Sequence, residues 1–127
     1  MTYRILIVDD SKLARMSVAK VLNKLQPEWT RLEAANADEA IIRLRQDGAD
    51  VALLDFNMPG RDGLALAAEL QGLHPEMPLA LLSANIQDEI VARAREVGAA
   101  FLAKPLSELA LADFLSGAEL RLRTAGR

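Results

Sequence analysis

The chain contains no cysteine and a single histidine, His74, among its 127 residues. The missing cysteines exclude disulfide bonds, thiol catalysis and cysteine-ligated metals, and one histidine cannot supply a multi-histidine zinc site. Basic residues are not in excess either, since 15 Lys and Arg stand against 18 Asp and Glu, a net charge of −3. This balance argues against direct nucleic-acid binding, which needs clustered positive charge.

Long apolar stretches are also missing. The N-terminal segment MTYRILIVDDSK reaches acidic residues after one apolar run that is too short for a signal peptide or a membrane span. We therefore expect a cytoplasmic protein without a membrane segment. A length of 127 residues, 51% of them hydrophobic, suffices for one domain with its own core. We assign residues 1–122 to this domain and residues 123–127 to a C-terminal tail.

Short apolar segments without polar alternation recur along the chain. They predict β-strands that are buried on both faces, as in a parallel sheet. These predicted strands are residues 5–8, 51–54, 79–82 and 99–103. The segment Thr30–Ala34 alternates between polar and apolar residues instead, a pattern that suits an edge strand.

Helical periodicity fills the segments between the predicted strands. Apolar residues at helical spacing predict helices over residues 12–25, 38–46, 64–73, 86–97 and 107–121. In the first of these helices, the apolar residues at this spacing are Leu13, Met16, Val21, Leu22 and Leu25. The regular alternation of strands and helices predicts an α/β domain with a five-stranded parallel sheet and helices on both faces.

Polar side chains follow the C-terminal ends of four predicted strands, which is where ligands bind in folds of this kind. They are Asp9 and Asp10 after the first strand, Asp55 and Asn57 after the third, Ser83 after the fourth, and Lys104 with Pro105 after the fifth. Because the strands are predicted to be parallel, these residues should all lie at one edge of the sheet.

The acidic residues of this set indicate a metal-assisted phosphoryl site. Asp9, Asp10 and Asp55 would repel one another unless a divalent cation neutralised them. Mg²⁺ takes oxygen ligands from few carboxylates and commonly bridges to phosphate. The ammonium of Lys104 and the hydroxyl of Ser83 suit the oxygens of a phosphoryl group. Asp55 is the candidate nucleophile, since aspartyl phosphates are established covalent intermediates.

Each of these residues also has a purely structural interpretation. The aspartates could cap a helix, and both Asp55 and Asn57 could form a turn. Ser83 could cap the following helix, and Lys104 could be a solvated lysine in a loop. The expected gathering of all of them at one sheet edge favours the functional interpretation.

Four segments of the sequence, ILIVDDS, LLDFNMPGRDG, LLSAN and FLAKP, resemble the motifs of the bacterial two-component response-regulator receiver domain, the CheY-like family. The resemblance runs from Tyr3 to about Arg121, and the order and spacing of the motifs make it specific. It implies a doubly wound, flavodoxin-like sheet with strand order 2-1-3-4-5. It also implies a signalling protein that catalyses only its own phosphorylation and autodephosphorylation.

The resemblance implies a role for each acidic residue. Asp55 accepts a phosphoryl group from a histidine kinase or a histidine phosphotransfer protein. Mg²⁺, for which Mn²⁺ could substitute, binds directly to Asp10 and Asp55, and to the backbone carbonyl of Asn57. Asp9 contributes mainly through water.

The resemblance further implies a conformational switch. Ser83 and Lys104 hold the phosphoryl oxygens, and the bond between Lys104 and Pro105 is expected to be cis, a form essentially confined to proline. On phosphorylation Ser83 moves toward these oxygens and Phe101 turns inward behind it. The docking face built from the fourth helix, fifth strand and fifth helix is thereby repacked. Phe101 stands where tyrosine is frequent, so a hydrogen bond from that hydroxyl is not available here.

An alternative function is that of a Mg²⁺-dependent phosphohydrolase of the haloacid dehalogenase type, which also uses an Asp at a strand end. Such enzymes carry a second Asp two residues after the nucleophile, where this chain has Asn57. They also carry large cap insertions, for which 127 residues leave no room. A nucleotide-binding module would need a Gly-rich turn after the first strand, where DDSK stands.

The resemblance implies two kinds of protein partner, an upstream kinase or phosphotransfer protein and a downstream target or output domain. The chain could be a stand-alone receiver or the receiver part of a longer response regulator. We expect a monomer or a phosphorylation-dependent dimer. A second apolar patch near the C-terminus is either a lightly covered edge of the core or a docking surface, and consists of Leu106, Leu109, Ala110 and Leu120.

Overall fold

Five parallel strands form one sheet in a computed structural model of the protein, which describes residues 2–126 and the side chains up to residue 124. The strands are β1 (Arg4–Val8), β2 (Thr30–Ala34), β3 (Val51–Asp55), β4 (Leu79–Ser83) and β5 (Ala99–Ala103). The helices that alternate with them are α1 (Lys12–Leu25), α2 (Ala37–Asp47), α3 (Gly63–Leu73), α4 (Asp88–Glu96) and α5 (Glu108–Gly126). The strand order is β2-β1-β3-β4-β5, and all neighbouring strands are parallel. The predicted fold class and strand order are confirmed.

Alternate residues of the central strands face two separate apolar layers. Leu54 and Leu81 belong to the layer that contains residues of α2, α3 and α4. Leu53 and Leu82 belong to the layer that contains residues of α1 and α5. β3 and β4 are buried over their whole length because helices cover both faces. Such strands have continuous apolar sequences, which is why the sequence predicts them well.

The prediction that residues 99–103 are buried on both faces is wrong. β5 lies at the edge of the sheet beside β4, where Ala100 is exposed and Phe101 is half-buried. Three of the five residues in this strand are alanines. Alanine makes a segment apolar, but its small side chain exposes little surface and does not require burial.

The bounds of α4 and α5 also differ from the prediction. α4 begins at Asp88 and not at Ile86, because Gln87 has an extended backbone with φ −94° and ψ 140°. α5 begins at Glu108 because the hydroxyl of Ser107 caps it by accepting from the N–H of Ala110 at 3.0 Å. It then continues to Gly126, so residues 123–126 of the predicted tail are helical. Within the described part of the chain, no helix combines the length and the apolar character that crossing a bilayer would take.

α1 has the predicted bounds but buries a different face. Val18 and Leu22 are buried, whereas Leu13 and Met16 are 76% and 54% exposed. Leu13 precedes Leu22 by about two and a half helical turns and therefore lies on the opposite side of the helix. Helical spacing alone had grouped residues that point in different directions.

Candidate functional site

The C-terminal ends of four strands bring the predicted site residues to one edge of the sheet. Asp9 follows β1, Asp55 is the last residue of β3, Ser83 is the last of β4, and Lys104 follows β5. The register pairs Asp55 with Leu82 and Ser83 with Ala103, so β3, β4 and β5 end within about one residue of each other. The sheet therefore brings together side chains that are far apart in the sequence.

Three carboxylates meet at this edge and form the acid cluster, which consists of Asp9, Asp10 and Asp55. One carboxylate oxygen from each residue lies within 4.8 Å of the other two. Asp9 and Asp55 are buried, with 5% and 6% of their surface exposed, whereas Asp10 is exposed. A small ion can therefore reach the cluster from solvent past Asp10.

Lys104 places a positive charge against the acid cluster. Its Nζ donates to Oδ1 of Asp55 at 2.7 Å and to Oδ2 of Asp9 at 3.3 Å. Its backbone N–H donates to the carbonyl of Ser83 at 3.0 Å, and its peptide bond to Pro105 is cis. The lysine is thus held by its backbone as well as by its side chain.

Burial raises the pKa of Asp55 above its ordinary value, because the ionised carboxylate loses contact with water. The hydrogen bond and the charge of Lys104 act in the opposite direction, but the charges of Asp9 and Asp10 raise the pKa further. The net result is a raised pKa. One ammonium therefore does not compensate the burial and the mutual repulsion of the three carboxylates.

The same surplus of negative charge acts on Lys104. Burial lowers its pKa, but the hydrogen bond with Asp55 and the charges of Asp55 and Asp9 outweigh burial and leave the pKa raised. Lys104 therefore stays an ammonium while the cluster keeps an excess of negative charge. Carboxylate oxygens with uncompensated charge are the ligands that a hard divalent cation such as Mg²⁺ prefers. The residues present thus fit a magnesium site.

Three further predicted residues lie outside the acid cluster. Asn57 is exposed in the loop between β3 and α3. Ser83 is buried, and its Oγ accepts a hydrogen bond from the backbone N–H of Asn85 at 3.0 Å. Phe101 pairs with Leu81 across the strands and packs against the layer formed with α2, α3 and α4. The carbonyl of Ser83 accepts a hydrogen bond from the backbone N–H of Lys104, and this bond links Ser83 to the acid cluster.

The sequence did not reveal one arginine that contacts the site. Arg15 lies one turn inside α1, and its Nη1 donates to the backbone carbonyl of Asp9 at 2.6 Å. Its Nε donates to Oε1 of Glu33 on β2 at 2.8 Å. Basic residues are common in the first turns of surface helices. Apart from the position of Arg15 in the chain, the sequence therefore gives no sign that its side chain points back toward Asp9.

Gly63 is a second residue that the sequence analysis did not single out. It is the first residue of α3, and its N–H donates to the carbonyl of Phe56 at 3.0 Å. A Cβ at this position would clash with the backbone carbonyl of Asp55 and lie 2.9 Å from Cδ1 of Leu81. The sequence signal that could have identified Gly63 is the Asp62-Gly63 pair at the start of a helix. Asp62 caps α3, and glycine permits the close approach of α3 to the backbone of Asp55.

The sequence and the fold of the chain are similar to those of several known proteins. The family model described as the response regulator receiver domain matches residues 5–116. The positive alginate biosynthesis regulatory protein of Pseudomonas aeruginosa is 38% identical over 117 residues, which cover 90% of this chain and 46% of that protein. The transcriptional regulatory protein PdtaR of Mycobacterium tuberculosis is 35% identical over 118 residues, covering 92% and 55% respectively. The chain therefore spans about half the length of these two relatives.

A shorter relative and two solved structures match more of the fold. The chemotaxis protein CheY of Bacillus subtilis is 32% identical over 106 residues, covering 83% of this chain and 88% of that protein. The structure of the Vibrio cholerae chemotaxis protein CheY4 has a TM-score of 0.83 at 25% identity and covers 93% of this chain and 99% of its own. NtrX from Brucella abortus has a TM-score of 0.84 at 29% identity, covering 98% of this chain and 29% of its own.

Proposed function

We propose that this chain, which belongs to the response regulator receiver domain family and is a phospho-acceptor signalling switch, takes up its phosphoryl group on Asp55. The observation that carries the proposal is the contact of 2.7 Å between Nζ of Lys104 and Oδ1 of Asp55, inside a cluster of three carboxylates. Asp55 is the member of the cluster that ends a strand, and it makes the shorter of the two contacts with Lys104, 2.7 Å against 3.3 Å for Asp9. A carboxylate in this position can act as a nucleophile, because the negative charge of the phosphorylated product would lie next to the ammonium of Lys104.

The proposed reaction transfers a phosphoryl group from a phosphohistidine. A carboxylate oxygen of Asp55 attacks phosphorus, the new O–P bond forms, and the P–N bond to the imidazole of the donor breaks. The electron pair of that bond leaves with the imidazole nitrogen, which can take up a proton. The donor is a histidine kinase or a histidine phosphotransfer protein, and because its phosphoryl group derives from ATP we place the reaction in the cytoplasm.

Receiver domains bind Mg²⁺ at a cluster of aspartates such as the one present here. We propose that Asp10 and Asp55 would hold the ion with their carboxylates, Asn57 with its backbone carbonyl, and Asp9 mainly through water. When bound, the ion neutralises carboxylates and phosphoryl oxygens, which lowers the barrier to phosphoryl transfer. Mn²⁺ prefers the same oxygen ligands and is proposed to substitute.

Lys104 and Ser83 are the proposed holders of the phosphoryl oxygens. The ammonium of Lys104 already contacts Asp55, so a phosphoryl group on that carboxylate arrives within reach of an existing cation. The hydroxyl of Ser83 can donate to one of those oxygens. The hydroxyl now donates to the backbone carbonyl of Asn85 at 3.4 Å, and exchanging this acceptor for a phosphoryl oxygen is the proposed first step of the switch.

Phe101 is the proposed second step. It is half-buried on the edge strand β5, and it can turn inward once Ser83 has moved. The face formed by α4, β5 and α5 would then change its apolar surface and its affinity for a downstream protein or output domain. Since the side chain is Phe, the change is one of packing without a hydroxyl to anchor either position.

The alternative of a phosphohydrolase of the haloacid dehalogenase type is not favoured by membership of the receiver family. Asn57 stands at the position where such an enzyme needs a second aspartate. We propose instead that the domain catalyses only its own phosphorylation and autodephosphorylation. It acts as a stand-alone receiver or as the receiver part of a longer response regulator, as a monomer or a phosphorylation-dependent dimer. We do not expect it to bind nucleic acid directly.

The proposal is tested by adding beryllofluoride and Mg²⁺ to the ¹⁵N-labelled protein and recording amide chemical shifts. We expect shifts around Asp55 and, propagated further, at Phe101 and in α4. In Ser83→Ala the shifts near Asp55 should remain while those at Phe101 are strongly reduced. Ser116→Ala, at an exposed position of α5, is the matched control and should behave as the wild type. If beryllofluoride and Mg²⁺ changed the amide shift of Phe101 in Ser83→Ala as much as in the wild type, Ser83 would not be part of the switch.

A further inference from the structure

Asp9 is held at both polar atoms of its backbone. Its N–H donates to the carbonyl of Ala34 on β2 at 3.1 Å. Its carbonyl accepts from Nη1 of Arg15 on α1 at 2.6 Å. Its carboxylate is committed as well, since Oδ1 accepts from the N–H of Ser11 at 2.9 Å and Oδ2 accepts from Lys104. The peptide that connects Asp9 to Asp10 is therefore fixed between a strand and a helix.

Arg15 has a second anchor on the strand that holds Asp9. Its Nε donates to Oε1 of Glu33 at 2.8 Å, and Glu33 directly precedes Ala34 in β2. The side chain of Arg15 is 15% exposed, against 43% for Glu33, so most of the guanidinium stem is shielded. A guanidinium presents its N–H groups in a rigid plane, and two contacts in different directions therefore fix its position.

Arg15 and Lys104 bring positive charge to the same residue in different ways. Lys104 contacts carboxylate oxygens of Asp9 and Asp55, which are atoms that a metal ion would also use. Arg15 contacts the backbone carbonyl of Asp9 and pairs its charge with Glu33, so it does not compete with a metal ion for the carboxylate oxygens of the acid cluster. Arg15 therefore acts on the acid cluster mainly by positioning Asp9, and less by neutralising the negative charge.

We infer that Arg15, anchored by Glu33, is a positioning residue for divalent-cation binding, because it holds the Asp9–Asp10 peptide in the place that lets their carboxylates meet Asp55. The inference rests on the proposed magnesium site. Residues that orient metal ligands without touching the metal typically change metal affinity by about 10–100-fold when they are removed.

Mg²⁺ affinity of the unphosphorylated protein, measured by isothermal titration calorimetry, tests this role directly. In Arg15→Ala we expect the dissociation constant to rise about tenfold, and in Glu33→Ala to rise by a smaller factor. Arg15→Lys should remain closer to Arg15→Ala than to the wild type, since one ammonium cannot make both contacts. Added NaCl should not remove the difference, because a positional effect is not screened as a distant charge would be.

Arg43→Ala is the matched control. Arg43 donates to the backbone carbonyl of Glu33 at 3.2 Å and pairs with Asp47, so it belongs to the same polar network. Within the described part of the chain, no hydrogen bond or ion pair joins Arg43 to Asp9. Removal of Arg43 should leave Mg²⁺ affinity within about twofold of the wild type. The inference would be overturned if the Mg²⁺ affinity of Arg15→Ala also stayed within about twofold of the wild type. It would equally be overturned if Arg43→Ala lost as much Mg²⁺ affinity as Arg15→Ala.

A second readout separates positioning from general damage to the fold. The rate of phosphorylation by acetyl phosphate in Arg15→Ala should need more Mg²⁺ for half-saturation, yet approach the wild-type rate once Mg²⁺ saturates. If Arg15→Ala does not unfold cooperatively, Glu33→Ala decides, and unchanged affinity there counts against the inference. Failure of the proposed phospho-acceptor is distinguishable, because it would appear in the wild type as labelling elsewhere than Asp55, whereas Mg²⁺ affinity is measured without any phosphoryl donor.

Discussion

Nζ of Lys104 lies 2.7 Å from Oδ1 of Asp55, so a cation delivered by the end of β5 pairs with the last residue of β3. β4 separates these two strands in the sheet, and the contact therefore passes over its end, where Ser83 lies. The contact joins the candidate phospho-acceptor to the candidate switch residues before any phosphoryl group is present.

Replacing Lys104 by methionine should destabilise the metal-free protein. The side chain is 30% exposed and balances two buried carboxylates, so after allowance for solvent screening we expect a loss of about 1–3 kcal/mol in the free energy of unfolding. Saturating Mg²⁺ should recover much of the loss, because the ion supplies the missing positive charge. Urea denaturation with and without Mg²⁺ measures both values.

Lys24→Met is the control for this comparison. Lys24 pairs with Glu108 at 3.0 Å, but the two side chains are 70% and 50% exposed, and exposed pairs of this kind contribute about 0–1 kcal/mol. Its effect should be small and independent of Mg²⁺. A loss in Lys104→Met that is the same with and without Mg²⁺ would contradict the assignment of Lys104 to the cluster.

Replacing Asp55 by asparagine should stabilise the metal-free protein at neutral pH. Because burial raises the pKa of Asp55, the folded protein holds the proton more tightly than the unfolded chain does. Ionisation therefore reduces stability, fully so above the raised pKa, and asparagine resembles the neutral form. The pKa of Asp55 is raised even though Lys104 attracts the carboxylate. Losing the ion pair with Lys104 in Asp55→Asn therefore does not turn the expected stabilisation into a destabilisation.

Thermal unfolding at several pH values measures this effect. The melting temperature of Asp55→Asn should exceed that of the wild type at neutral pH in EDTA. The gap should narrow as the pH falls through the raised pKa and close near the ordinary pKa of an aspartate. Asp38→Asn, whose side chain is 94% exposed, is the control, and its melting temperature should not exceed that of the wild type at neutral pH in EDTA. A wild type more stable than Asp55→Asn in EDTA at neutral pH would refute the argument.

Replacing Gly63 by alanine should disturb both the fold and the site. The added Cβ would meet the carbonyl of Asp55, which is backbone and cannot rotate away, so we expect a loss of about 1–3 kcal/mol or more. The shift should also slow phosphorylation, because it displaces the strand end that carries Asp55. Denaturation and the rate of labelling by acetyl phosphate measure the two effects.

Gly117→Ala is the control, for which we expect a rise in stability instead of a loss. Gly117 lies inside α5, and a Cβ there would have no heavy atom within 4 Å. Alanine favours a helix interior over glycine, so stability should rise by about 0.5–1 kcal/mol with normal labelling. If Gly63→Ala behaved in the same way, the close approach of α3 to the end of β3 would not hold Asp55 in place.

The sheet and the acid cluster could be predicted because their signals are local in sequence. The central strand Val51–Asp55 is a continuous apolar segment with an acid at its end, and parallel strands bring such ends together. The backbone role of Asn57, the movement of Ser83 and the role of Phe101 came from resemblance to a family, since nothing in the local sequence indicates them.

The remaining features depend on the direction of side chains and on tertiary contacts. Arg15 could not be assigned to the site because its reach toward Asp9 depends on the angle between α1 and the sheet. The exposure of Leu13 required the direction of each side chain around the helix, and apolar spacing did not give it. The continuation of α5 past Arg121 was missed because its last residues carry little apolar pattern.

The most direct test of the phospho-acceptor is to locate the phosphoryl group itself. The protein is incubated with acetyl phosphate, with and without Mg²⁺, and intact mass and peptide mapping identify the modified residue. We predict one phosphoryl group on Asp55 in the presence of Mg²⁺, little without the ion, none in Asp55→Ala, and normal labelling in Asp38→Asn. Labelling of Asp55→Ala at the wild-type level would contradict the account.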